Sequence, residues 1–88
     1  VSRPVEITLL TQPDCAFCDV AKQILVRVGD EYPLHVREID LATAEGQHLA
    51  TSAGVLFAPG VLLDGEAFSY GRLSERKLRR ALQRWLSG

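Results

Sequence analysis

Two cysteines, Cys15 and Cys18, are the only thiols in this 88-residue chain, and Ala16-Phe17 separates them. They lie between an aliphatic run ending at Leu10 and a stretch of helical periodicity beginning at Phe17. Cys15 therefore falls at the start of a helix, where free backbone N–H groups and the positive end of the helix dipole favour a thiolate. Cys18, one turn deeper, lies on the same side, so the sulfurs can approach bonding distance. An outer thiolate that attacks a disulfide forms a mixed disulfide, and an inner thiol beside it resolves that bond. Asp14 and Asp19 flank the pair and oppose thiolate formation. Asp14 reads as the helix N-cap, and Lys22, four residues after Cys18, reads as a surface charge able to offset part of this. Cys15 is expected to titrate below a free thiol, without the extreme shift of a strong oxidant. A zinc half-site, an inert disulfide and free thiols are the alternatives for the spacing alone. Zinc would need His35 and His48, whose spacing matches no common finger or ribbon. Both histidines read as surface residues, and no metal site is expected.

The elements that must position these cysteines follow from periodicity and punctuation. Val5 to Leu10 is a buried strand, followed by the loop Thr11-Gln12-Pro13-Asp14. Phe17, Val20, Ala21, Ile24, Leu25 and Val28 keep the helical period up to Gly29, a C-terminal stop. Leu34 to Ile39 forms a second strand after Tyr32-Pro33, and Leu41 to Ala53 contains a weaker helix ended by Gly54. Gly60 to Leu63 and Ala67 to Tyr70 are short strands joined by Asp64-Gly65, a pair suited to a type I′ hairpin. Ser74 caps a last helix, with Leu73 and Leu78 as a hydrophobic staple. The order is βαβαββα, with the first two strands parallel and the last two antiparallel. The hairpin returns Gly71-Arg72 to the cysteine end of the sheet, where Arg72 and the start of the last helix could meet a substrate carboxylate. Phe57 and Tyr70 read as core residues.

Size and composition bound the rest. With 47 % hydrophobic and 24 % charged residues and a net charge of −1, the chain is one compact domain, residues 1–88, and not a disordered one. Two cysteines cannot form the disulfide framework of a small secreted domain. No apolar run approaches the roughly 18 residues of a membrane span. No signal-peptide pattern occupies Val1 to Pro13, and the lack of methionine reads as a removed initiator, so a cytoplasmic location is expected. Residues 1–71 carry four basic groups against ten acids, while residues 72–88 carry six against one. Leu78, Ala81, Leu82, Trp85 and Leu86 form one apolar helix face, and the arginines read as the solvated face opposite. No aromatic residues interleave with them, so nucleic acid is not an expected partner, and an acidic protein partner is the alternative to a solvated face.

The run Thr11-Gln12-Pro13-Asp14-Cys15-Ala16-Phe17-Cys18, together with Ala58-Pro59 and the Asp64-Gly65 hairpin, resembles a glutaredoxin-like member of the thioredoxin superfamily. The resemblance covers roughly Val5 to Leu86. It implies an α/β thioredoxin fold, with a mixed four-stranded sheet and helices on both faces. It also implies a cis peptide bond at Pro59, opposite the cysteines, and a monomeric thiol–disulfide oxidoreductase without a resident cofactor. Cys15 would be the nucleophile and Cys18 the resolving thiol of a redox-active disulfide, with a potential of about −200 to −270 mV. Ala58, Pro59, Gly71 and Arg72 would hold a protein or small-molecule disulfide, and the electron donor would be glutathione or a thioredoxin reductase-type flavoenzyme. Ala16-Phe17 stands where glutaredoxins carry Pro-Tyr and thioredoxins Gly-Pro. Gly71-Arg72-Leu73-Ser74 has one glycine and no acid where glutaredoxins carry a Gly-Gly pair and an acid that hold glutathione. Glutathione is therefore expected to be held weakly. The rival expectation is a non-enzymatic module that binds a metal or a [2Fe–2S] cluster through its cysteines, for which four thiolates would have to be gathered.

Overall fold

A computed structural model describes residues 3–87, without the side chain of Ser87; Val1, Ser2 and Gly88 of the expected 1–88 domain lie outside the described residues. The elements are β1 (Val5–Thr11), α1 (Ala16–Gly29), β2 (Leu34–Asp40), α2 (Ala44–Ala53), β3 (Gly60–Leu63), β4 (Glu66–Tyr70) and α3 (Glu75–Ser87). They form one sheet in the order β2-β1-β3-β4. β1 runs parallel to β2 and antiparallel to β3, which pairs antiparallel with β4. This is the mixed four-stranded sheet of the thioredoxin fold.

β1 is an inner strand, and it is apolar along one face and at Leu10 on the other. Val5, Ile7 and Leu9 join Val61 and Leu63 of β3 beneath α1 and α3, where Ala21, Ile24, Leu25, Val28, Leu78 and Leu82 complete the larger core. Leu10 faces the other way, with Ile39, Ala50 and Val55, under α2. The alternation of a pleated strand thus feeds two cores at once.

Asp64 (φ 48°) and Gly65 (φ 85°) both take the left-handed conformation of a type I′ turn. Ser74 Oγ accepts the Lys77 N–H at 3.2 Å, and Leu73 and Leu78 are buried on either side of that cap, as the staple requires. α1 ends at Gly29 as expected, and Asp30 caps it, its N–H donating to the Arg27 and Val28 carbonyls. Two details differ from the sequence reading. Trp85 is 41 % exposed, because only Leu78 and Leu82 of its face reach the sheet fully. Arg79 is not on the solvated face: its guanidinium contacts Glu31 at 2.7 Å and Glu75 at 3.0 Å. The glycine that weakens α2 has a steric reason, since a Cβ at Gly46 would fall on the Asp40 carbonyl oxygen.

Candidate active site

Register gathers the functional residues at one end of the sheet. Leu10 lies opposite Gly60, and Gly60 opposite Tyr70. The loop after β1, the segment before β3 and the loop after β4 therefore share an edge, and they carry the cysteines, Ala58-Pro59 and Gly71-Arg72. Cys15 and Cys18 lie at disulfide-bonding distance, with Cα atoms 5.2 Å apart. Cys15 is partly exposed and Cys18 is only 2 % exposed.

Cys15 itself is the N-cap of α1, not Asp14. Asp14 takes φ 54°, a turn conformation one residue too early, and no N-cap hydrogen bond engages its carboxylate. The cap bond runs instead from the Cys18 N–H to Cys15 Sγ at 3.1 Å. A backbone donor aimed at this sulfur favours negative charge there once the disulfide is opened. Lys22 does not serve the cysteines. Its ammonium pairs with Glu38 on β2 at 3.3 Å.

The Ala58-Pro59 peptide bond is cis, and both residues are buried. The Gly71 N–H donates to the Pro59 carbonyl at 2.8 Å, which ties the loop after β4 to this segment. Arg72 is exposed and shares a groove with Val20 and Ile24 of α1. His35 accompanies Glu6 at 2.8 Å, away from the cysteines, and no group of three or more metal-ligating side chains is found among the described residues.

Phe57 and Tyr70 are not core residues. They are 55 % and 43 % exposed and meet edge to face, with ring centroids 5.1 Å apart. Gly71 (φ 80°) permits this, since a Cβ there would stand 3.0 Å from the Phe57 ring. Sequence reasoning missed this aromatic wall. The available signal was position: Phe57 lies three residues before β3 and Tyr70 ends β4, both at the cysteine edge.

The comparisons with known proteins agree with this geometry. Residues 6–83 match the family model described as Glutaredoxin-like domain (DUF836). This chain belongs to that family. The glutaredoxin-like domain is 27 % identical over 82 residues to a thioredoxin of Methanocaldococcus jannaschii, covering 93 % of this chain and 96 % of that one. A 57-residue stretch, 65 % of the chain, is 37 % identical to part of NADPH-dependent thioredoxin reductase 3 of Arabidopsis thaliana, of which it spans 11 %. Among solved structures, the thioredoxin-like protein BC3987 superposes with a TM-score of 0.70 at 28 % identity, over 86 % of this chain and 99 % of that one. A mutant thioredoxin from Halobacterium salinarum superposes with a TM-score of 0.71, over 94 % and 75 % of the two chains; at 23 % identity it speaks for the fold alone. The thioredoxin fold with a paired Cys15 and Cys18 supports a redox role. No helix among the described residues is long and apolar enough to cross a membrane.

Proposed function

We propose that this domain is a thiol–disulfide oxidoreductase whose preferred substrates are disulfides of polypeptides. The observation that carries it is the unequal burial of two sulfurs at bonding distance on one helix N-terminus. Only Cys15 is open to a partner. In the reduced protein its thiolate attacks a substrate S–S bond, forms the Cys15–substrate disulfide and releases one substrate sulfur as a thiolate, which takes a proton from water. Cys18 then gives up its proton and attacks Cys15 Sγ. This closes the intramolecular disulfide and releases the second substrate sulfur, so two electrons have passed to the substrate.

Ala58 and Pro59 offer backbone groups on which an extended substrate segment can lie as an added strand. The Phe57–Tyr70 wall supplies apolar contact beside them and closes the space over Gly71, which favours a polypeptide over glutathione. That a stretch of a protein named thioredoxin reductase is similar to this chain supports a flavoenzyme as the electron donor.

The test is reduction of hydroxyethyl disulfide, supplied in parallel with thioredoxin reductase plus NADPH and with glutathione plus its reductase. Wild type turns over, Cys15→Ser loses all exchange, and Cys18→Ser accumulates a mixed disulfide visible by mass. Iodoacetamide labels Cys15 of the reduced protein before Cys18. Faster labelling of Cys18 overturns the role assignment. Failure of wild type with both donors overturns the function.

A further inference from the structure

Every lysine and arginine among residues 3–71 has an acidic partner. Arg3 reaches Asp64, Lys22 Glu38, Arg27 Glu75, and Arg37 Glu45. In the segment from Arg72 to Arg84 the pattern inverts. Arg79 alone is paired, while Arg72, Arg76, Lys77, Arg80 and Arg84 make no ion pair among the described residues. Four of these fall within about 100° of arc on α3, opposite the Leu78–Leu82 face, because they recur at three- and four-residue intervals. Like charges at that spacing repel, and Arg76 and Lys77 sit in the first turn, where the helix dipole also disfavours a cation. The fold gains nothing from this arrangement. The rest of the chain has acids to spare, so the concentration of cations on one face is a property of the surface.

The track begins at the redox site. Gly71 is bonded to the Pro59 carbonyl, and the next residue, Arg72, lines a groove of about 440 Å³ with Val20 and Ile24 of α1 and the start of α3. On the other flank of α1, Lys22 faces Glu38 of β2, and Asp19 lies one turn before it on that side. The surface beside Cys15 is thus cationic toward α3 and acidic toward β2.

Resting on the oxidoreductase reading, we propose that Arg72, Arg76, Arg80 and Arg84 form a docking track for an acidic polypeptide segment that flanks the reactive cysteine of the redox partner. From Arg76 to Arg84 the track rises about 12 Å, the span of roughly four extended residues. The groove beside Val20 and Ile24 lies along α1, the helix that Cys15 caps. The net negative charge of residues 1–71 repels such a segment elsewhere, so the field orients the encounter as well as strengthening it. A nucleic-acid strand fits less well, because Trp85, which lines a groove with Arg84, Ala81 and Phe68, offers a single ring at the far end of the track, where stacked bases would need several along it.

The experiment uses two short peptide disulfides with one common cysteine core, flanked by glutamates or by lysines. Their kcat/KM values are normalised to that of neutral hydroxyethyl disulfide. For wild type the glutamate peptide is favoured by about tenfold at low salt, mainly through KM. The preference shrinks as added salt shortens the Debye length from ~30 Å to ~8 Å. Arg76→Glu/Arg80→Glu reverses it, and Arg76→Gln/Arg80→Gln gives an intermediate value. Cysteine-free versions of both peptides are also titrated by fluorescence anisotropy, which reads the track even if the chain reduces no disulfide. Equal binding of the two peptides at low salt overturns the proposal. So does a single-stranded oligonucleotide of matching charge that binds more tightly than the glutamate peptide, or a low-salt dimer that the charge reversal dissolves without any peptide preference.

Discussion

Gly71 links the redox site to the fold through two properties of one residue. Its positive φ turns the chain from β4 toward α3, and its missing side chain lets the Phe57 ring lie over the backbone. Gly71→Ala meets both constraints. The left-handed conformation alone costs about 1–2 kcal/mol for a residue with a Cβ. For a domain of this size each kcal/mol lowers Tm by roughly 4–8 °C. Thermal unfolding should show that loss, with Phe57→Ala/Gly71→Ala recovering part of it because the ring no longer obstructs the methyl group. If the single and double variants unfold together, the ring contact is unimportant. Cys15, Cys18 and Pro59 were legible at this scale because their types and separations are distinctive. Phe57 and Tyr70 were not, because an aromatic residue in an apolar run has the same signature in a core or on a rim. Asp14 was misread for a related reason: aspartate is a common cap, and only the backbone conformation shows that the cysteine after it does the capping.

At the scale of elements, α1 and α3 are joined through ions as well as through leucines. Glu75 accepts from Arg27 of α1 at 2.7 Å and from Arg79 at 3.0 Å, and Arg79 also reaches Glu31 just beyond α1. The hydrogen bond from Arg27, then that from Arg79, holds the Glu75 carboxyl below its usual value. A depressed folded-state pKa means that the contribution is complete above the unfolded value, about 4.3 for a glutamate, and is lost as pH falls through the folded one. Glu75→Gln is therefore less stable than wild type near neutral pH, and the gap closes as acid protonates the carboxylate. Urea unfolding of both proteins across that range measures it; a gap independent of pH would assign the loss to packing. The elements themselves were legible, since β1, α1 and α3 have strong periodicity and clear punctuation. Arg79 was not, because a helical wheel separates apolar from polar faces but cannot show that Glu31 and Glu75 meet the helix at its flank.

Across the whole molecule the two faces of the sheet are unequal. Twelve buried residues hold α1 and α3 to one face, while Leu10, Ile39, Ala50 and Val55 make the core beneath α2. Within α2, only Gly46 and Ala50 are buried, and neither brings a large side chain. Stability is distributed in proportion to buried apolar contact, so α2 belongs to the low end of the local-unfolding range. Its amides are expected to exchange with deuterium faster than those of β1 and β3 by about tenfold or more under native conditions. This has a bearing on the redox site, because α2 leads directly into Val55–Pro59, the segment that carries Phe57 of the aromatic wall and the cis-proline. Val55 anchors that segment through an N–H bond to the Ala50 carbonyl and through packing under α2. Opening of α2 thus loosens the substrate-facing edge while Cys15 and Cys18, on α1, stay fixed to the larger core. Protection of α2 equal to that of β1 would mean that the molecule opens only as one unit, and that the two sides of the site move together.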